Sequence, residues 1–228
     1  MTPQYRVVSA AKKATVLLVD DHPIVRQGLT QLINQEPDLA VCGQAEDANG
    51  AFHAIATHRP DVVVLDISLN GPDGLAVLKD IRLSHATLPV LVLSMHDESL
   101  YAERVLRAGA NGYIMKQEAT ERVLEAIRRI RNGEVYVSDR VARRLLAQVV
   151  SSPASAKSPI EALTDRELAV FRLIGKGRGT REIADELRVS IKTVESYQAH
   201  IKDKLSLRNA RELFQHAFQW VTQQDGLQ

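Results

Sequence analysis

The 228-residue chain has one cysteine, no long apolar run and almost no net charge, and each scarcity removes a class of protein. A lone Cys42 excludes an intrachain disulfide framework, and its place in an apolar segment marks it as a buried, inert thiol. No stretch approaches the length of a bilayer span, and residues 1–13 lack the apolar centre of a secretion signal. A soluble, cytoplasmic protein without membrane contact is expected. No histidines stand at metal-ligand spacing, and Gly175-Lys176-Gly177-Arg178-Gly179-Thr180 matches neither common phosphate-loop pattern and follows no strand. The formal net charge of +1 conceals a division. Residues 14–136 hold 11 Lys+Arg against 17 Asp+Glu, a net of −6, whereas residues 160–222 hold 11 against 9, a net of +2. An acidic front and a mildly basic back point to two domains with different partners.

What is present in the front half is a set of short apolar runs that end in charge. Val16-Leu17-Leu18-Val19 runs into Asp20-Asp21, Val62-Val63-Val64-Leu65 into Asp66, and Tyr113-Ile114-Met115 into Lys116. β-Branched runs with no polar face read as strands buried on both sides. Between them lie helical patterns over 23–35, 47–58, 74–84, 98–108 and 119–132, with further strands at 41–45 and 90–94. Five strand-helix units in succession predict an α/β domain with a doubly wound, five-stranded parallel sheet. The carboxyl ends of such strands share one edge, where ligands bind. Three carboxylates and one ammonium therefore converge. Packed carboxylates raise one another's pKa unless a cation neutralises them, and Mg²⁺, which takes a few carboxylate oxygens and keeps several waters, is the natural occupant. An Asp neutralised in this way is a good nucleophile for a phosphoryl group.

The chain divides at low-complexity segments. Residues 1–13 read as a disordered extension, 14–136 as the α/β domain, 137–150 as an amphipathic linker helix and 151–159, rich in Ser, Ala and Pro, as a flexible linker. Residues 160–222 form a small all-α domain, followed by a tail at 223–228. In that domain Thr164-Asp165-Arg166-Glu167 is a capping box opening a helix through Phe171 and Ile174. Arg181–Leu187 and a longer helix from Ile191 to about Ser206, joined by a short turn with small Ala184 at the crossing, have helix-turn-helix spacing. A last helix, 210–221, is expected to close the unit with Leu213, Phe214, Ala217 and Trp220. On the second helix Val194, Tyr197, Ile201 and Leu205 share one face, leaving Lys192, Glu195, Ser196, Ala199 and Asp203 on the other. Placed in a major groove of double-stranded DNA, Glu195 would accept from cytosine, Ser196 would bond several bases and Ala199 would touch a thymine methyl. Lys192, Lys204 and Arg208 lie toward the flanks, suited to phosphates. A solvated face of an ordinary helical bundle would show the same pattern.

Taken together these residues resemble a two-component response regulator of the NarL/FixJ type, a receiver domain joined to a LuxR-type helix-turn-helix. The receiver set Asp20, Asp21, Asp66, Ser94 and Lys116 carries the first half of the likeness. Leu163-Thr164-x-Arg166-Glu167, Glu182-Ile183-Ala184, Thr193-Val194-Glu195 and Ile201-x-x-Lys204-Leu205 carry the second. The resemblance implies that Asp66 is the phosphoacceptor for a sensor histidine kinase. It further implies that Asp21 holds Mg²⁺ directly and Asp20 through water, with the backbone carbonyl of Ser68 completing the protein ligands. Lys116 would pair with the phosphoryl oxygens, Ser94 would donate a hydrogen bond to them, and Tyr113 would turn inward as the switch. Phosphorylation would then favour a homodimer that binds DNA to regulate transcription.

Other readings of single residues exist. Asp20 or Asp21 would also serve to cap the helix at Pro23, Tyr113 as plain core, and Ser94 as a polar strand end. A phosphatase of the haloacid-dehalogenase type also uses an Asp nucleophile, but it needs a second Asp where this chain has Ser68. A third possibility is a regulator acting by protein contacts alone, without phosphorylation. The sequence departs from the family pattern at Leu69-Asn70, where Met-Pro is common, and at Gly179, where Ser or Thr is usual. His96 stands near Ser94.

Overall fold

The computed structural model describes residues 13–69, 74–95, 98–151, 159–187 and 189–225. The expected extension through residue 12, loop residues Asn70 to Asp73, His96, linker residues 152–158 and the end of the tail from 226 lie outside the described residues. Contacts divide the chain into two units, Met1–Val150 and Ser151–Gln228.

The first unit alternates strands and helices: β1 (Ala14–Val19), α1 (Pro23–Asn34), β2 (Leu39–Ala45), α2 (Ala48–His58), β3 (Val62–Asp66), α3 (Gly74–Ser84), β4 (Val90–Ser94), α4 (Glu98–Arg107), β5 (Gly112–Met115) and α5 (Ala119–Arg131). The strands form one parallel sheet in the order β2-β1-β3-β4-β5. Every position of β3 and β4 is buried, as expected of strands covered on both faces. Alternation along the strands sorts the core. Val16, Leu18, Val64, Leu91 and Leu93 pack with Leu29 and Ile33 of α1 and Val123, Ile127 and Ile130 of α5. Their neighbours Leu17, Val63, Leu65 and Val92, which point to the other face, are equally buried.

Local chemistry sets the helix ends. Pro23 occupies the first turn of α1, where its missing N–H costs nothing. The Asp47 carboxylate accepts from the Gly50 N–H at 2.7 Å and caps α2, which ends at Arg59 in a left-handed conformation just before Pro60. Gly74 opens α3 because a Cβ there would collide with the Ile67 backbone. Two large apolar side chains on helices of this unit face water: Ile24 is 81% and Leu146 is 65% exposed. Cys42 lies on edge strand β2 and is half-buried, with burial pushing its thiol pKa up, which keeps it a poor nucleophile.

After α5 the chain returns to the sheet. The Tyr113 N–H donates to the Tyr136 carbonyl at 2.8 Å, and the Tyr136 N–H donates to Asn111 O at 2.9 Å, so one parallel bridge covers the open edge of β5. The Ser138 hydroxyl donates to Glu98 Oε1 at 2.7 Å and accepts from the Val141 N–H, tying the start of α6 (Asp139–Ser151) to α4.

The second unit contains α7 (Asp165–Gly175), α8 (Thr180–Glu186), α9 (Ile191–Lys204) and α10 (Ala210–Asp225). The capping box forms as the sequence predicts: the Thr164 N–H donates to Glu167 Oε2 at 2.7 Å, and the Glu167 N–H donates to the Thr164 hydroxyl at 3.3 Å. Gly177, at φ +79°, ends α7. Leu163, Phe171, Ile183, Ala184, Val194, Ile201, Leu213 and Ala217 make the core, with Phe171 packed 5.7 Å from Trp220 between ring centroids. Phe214 departs from its predicted core place. It is 45% exposed and stacks on Phe218 four residues on, because Leu213 and Ala217 own the inward stripe of α10.

Candidate acidic site and candidate nucleic-acid interface

Strand register decides which side chains meet in the first unit. Val19 pairs with Leu65, Asp66 with Leu93 and Ser94 with Met115, so Asp20, Asp66, Ser94 and Lys116 fall at one level along the carboxyl edge. This is the crevice beside β1 and β3, where the strand order reverses. Lys116 Nζ lies 2.6 Å from Asp66 Oδ2 and 2.8 Å from Asp20 Oδ2. The Ser68 N–H donates to Asp66 Oδ1 at 2.8 Å, and the His22 N–H donates to Asp20 Oδ1 at 2.8 Å. Each carboxylate is thus held by a turn of its own loop as well as by the ammonium.

The electrostatics follow from burial. Asp66 is fully buried, and loss of hydration pushes its pKa above the ordinary value, opposed by the Lys116 charge and reinforced by Asp20. Burial works against the Lys116 ammonium too. The adjoining Asp66 and Asp20 outweigh it and hold the lysine pKa above its ordinary value. Three carboxylates against one ammonium leave a deficit that a divalent ion balances. The donor set fits one: ligand atoms of Asp20, Asp21, His22 and Asp66 all lie within 4.8 Å of one another. Asp20 Oδ2 and Asp21 Oδ1 are buried and meet their neighbours at ion-pair distance without a well-directed hydrogen bond, leaving lone pairs for a cation. Hard oxygens in this number suit Mg²⁺. Ser94 is fully buried at the end of β4, and Tyr113 is 2% exposed, so its ring is already inside in this conformation.

His22 joins the site although no sequence pattern marks it. Its Nδ1 lies 2.6 Å from Asp21 Oδ1, 3.2 Å from Asp20 Oδ1 and 4.0 Å from Asp66 Oδ2. Its signal was adjacency alone: it follows the acidic pair directly.

In the second unit α9 exposes Lys192, Glu195, Ser196 and Ala199 on one face, while Val194 and Ile201 are buried on the other. The Ser190 hydroxyl caps α9, accepting from the Thr193 N–H at 3.0 Å. The Ser196 hydroxyl donates to the Lys192 carbonyl at 3.0 Å, which leaves its oxygen as an acceptor. Gln198 Nε2 donates to Thr180 Oγ1 at 3.3 Å and fixes α9 against the start of α8. Arg208 is exposed beyond the end of α9. Lys204, expected as a flanking cation, is partly exposed and also has a partner within the unit. Its ammonium lies 2.7 Å from Oε2 of buried Glu167 and so is engaged inside the unit, because the capping carboxylate of α7 faces the last turn of α9. The first turn of α8 lacks a side-chain cap: Gly179 contributes only its N–H, donated to Glu182 Oε2 at 2.8 Å.

Residues 16–128 match the response regulator receiver domain, and residues 161–217 match the bacterial regulatory proteins of the luxR family. The chain is 37% identical over 207 residues to the oxygen regulatory protein NreC of Staphylococcus haemolyticus, a match that covers 89% of this chain and 95% of that protein. It is similar to a LuxR-family two-component response regulator from Aurantimonas (35% identity, TM-score 0.56, 61% of this chain and 100% of the other). It is also similar to RcsB from Salmonella enterica serovar Typhimurium, solved bound to a promoter with a phosphomimetic (27% identity, TM-score 0.54, 90% and 97%). With both halves matched in order, the chain belongs to the two-component response regulators that join a receiver domain to a LuxR-type helix-turn-helix.

Proposed function

We propose that the protein is a phosphorylation-controlled transcription regulator in which Asp66 accepts a phosphoryl group from a sensor histidine kinase. The observation that carries this reading is the meeting of Asp66 Oδ2 with Lys116 Nζ at 2.6 Å beside Asp20 and Asp21. An Asp66 oxygen attacks phosphorus, the phosphorus–nitrogen bond of the donor phosphohistidine breaks, and the donor imidazole leaves with the electron pair. Asp20, Asp21, Asp66 and the carbonyl of Ser68 would hold Mg²⁺, which when bound neutralises charge on the phosphoryl oxygens. Lys116 then serves as a point charge on those oxygens. Ser94, at the end of β4, supplies a hydroxyl to them, and Tyr113 on the adjoining strand is the element whose packing the new charge biases.

Domain limits of 14–136 and 160–222, with the helix between them as linker, accord with this division of labour. The α9 face carries one cation among Lys192, Glu195, Ser196 and Ala199, too few to hold DNA strongly as a single copy. Pairing of two copies on phosphorylation multiplies affinity through effective concentration. The test is phosphorylation with a small phosphodonor, with the adduct mapped by mass spectrometry and DNA binding and sedimentation measured in parallel. A label on Asp66, lost in Asp66→Asn or with chelator and accompanied by dimerisation and tighter DNA binding, is the expected result. A label elsewhere overturns the acceptor assignment. DNA binding that is unchanged by Asp66→Asn would instead favour a regulator acting by protein contacts alone.

A further inference from the structure

We infer that Ser138 and Glu98 form a clasp on the linker helix that is closed while the Tyr113 ring is turned in and opens when the ring turns out. The clasp presupposes the phosphoacceptor reading of Asp66 above and goes beyond it in naming the contact that carries the signal to α6. In that reading two groups respond to the phosphoryl group, the Ser94 hydroxyl at the end of β4 and Tyr113 on β5. The chain after α5 is bonded to both elements. The Tyr113 N–H donates to the Tyr136 carbonyl at 2.8 Å, and Glu98, which opens α4 four residues beyond Ser94, accepts from the Ser138 hydroxyl at 2.7 Å.

The segment around Ser138 is held at two fixed points. Tyr136 packs into the core of the receiver unit under the Arg129 guanidinium, 5.4 Å from its ring centre, and Val141 is buried as well. A Cβ at Gly112 would stand 2.9 Å from the Tyr136 carbonyl oxygen and push the segment off β5, so the close approach requires glycine there. Between these anchors the Ser138 hydroxyl donates to Glu98 and accepts from the Val141 N–H at 3.3 Å, tying the start of α6 to the start of α4. Ser138 and Glu98 are only half-buried, so water can replace their bond, and this is the contact that opens. Its direction follows from Tyr113. Ile114 faces α5, so the Tyr113 ring lies on the opposite side of β5, where α4 packs. A ring leaving that face must pass α4, whose first turn carries Glu98. The ring is 2% exposed in the same conformation in which the clasp is closed. A phosphoryl group that favours the inward ring therefore favours the closed clasp, and by linkage the closed clasp favours the phosphorylated site.

The deciding experiment is calorimetric titration of the full-length chain with beryllofluoride, a stable mimic of the phosphoryl group, in the presence of Mg²⁺. The native protein is compared with Glu98→Ala, Glu98→Gln, Ser138→Asp and Asp66→Asn, and amide exchange over 134–142 is followed by mass spectrometry. Glu98→Gln keeps an oxygen to accept from Ser138, whereas Glu98→Ala does not; Ser138→Asp still caps α6 but sets a like charge against Glu98. Glu98→Ala and Ser138→Asp should bind beryllofluoride about fivefold more weakly, with Glu98→Gln within about twofold of the native chain. Unchanged affinity for Mg²⁺ alone shows that each variant is folded, and either of the two weakening variants suffices for the test. Beryllofluoride should slow exchange over 134–142 in the native chain and less so in Glu98→Ala. Native beryllofluoride affinity in Glu98→Ala and Ser138→Asp would overturn the inference, as would an equal loss in Glu98→Gln. Faster exchange over 134–142 on adding beryllofluoride would overturn it too, by placing the closed clasp in the unphosphorylated conformation. If the native chain binds beryllofluoride no better than Asp66→Asn, the phosphoacceptor reading itself fails, and the clasp with it.

Discussion

Lys204 Nζ and Glu167 Oε2 stand 2.7 Å apart, joining the last turn of α9 to the cap of α7. The pair gives Lys204 a part in holding the helical unit together. Burial raises the Glu167 pKa, but the Lys204 ammonium and the Thr164 amide outweigh it and hold the carboxyl below its ordinary 4.5. A carboxylate depressed on folding adds stability that is present above its unfolded pKa and lost as pH falls through the folded one. The helical unit should therefore weaken on acidification below about pH 4.5, and Glu167→Gln should flatten that dependence. Lys204→Ala should cost about 1–3 kcal/mol, less than a fully buried pair because the lysine is partly exposed. Trp220, the single tryptophan, packs on Phe171 in this unit, so its fluorescence reports both outcomes.

Reading of DNA should divide between two groups on α9. Glu195→Ala or Ser196→Ala should change the preferred base at one position by about 1–3 kcal/mol. Lys192→Ala should weaken all sites alike and reduce the salt slope by about one. Lys204→Ala should act through folding, leaving the slope of the folded protein unchanged. Binding to single-base operator variants at two salt concentrations checks all three; a changed base ranking in Lys192→Ala alone would show that α9 is oriented otherwise.

Mg²⁺ should stabilise the receiver unit. At ten times its Kd, an ion that binds only the folded state adds about 1.4 kcal/mol. Calorimetric melting with and without the ion should show an upward shift in the native chain and none in Asp21→Asn.

Gly175 is a contact point between helices. A Cβ there would collide with the Ala217 carbonyl of α10, which is backbone and cannot swing away. Gly175→Ala should cost about 1–3 kcal/mol by overpacking, despite the higher helix propensity of Ala. Denaturant unfolding followed at Trp220 measures it.

Gly179→Ser should do the reverse. The position is extended at φ −74°, ψ 159°, and the nearest atom to an added Cβ is Glu182 Oε2 at 3.6 Å, so a hydroxyl has room to cap α8. A gain of a few tenths of a kcal/mol in stability is expected. DNA affinity should rise in parallel at every sequence, since a capped helix end meets phosphate rather than bases.

By itself the sequence determined the parallel sheet, because runs such as Val62–Leu65 have no polar face and must be covered on both sides. It also placed Asp20, Asp66 and Lys116 at strand ends, and so at one edge. The helix-turn-helix was legible in the capping box and in the 3.6-residue stripe of Val194 and Ile201. Tertiary structure alone decided the rest. Periodicity marks a face but not its neighbour, so it could not tell that Glu167 would sit against Lys204, that Phe214 would lie outside the inward stripe of α10, or that Ile24 would face water. His22 carried no pattern, because its proximity to three carboxylates comes from a turn after β1 and from the pairing of β1 with β3. Tyr136 likewise meets Tyr113 only because β5 is the edge strand, and an edge exists only once the order of the whole sheet is set.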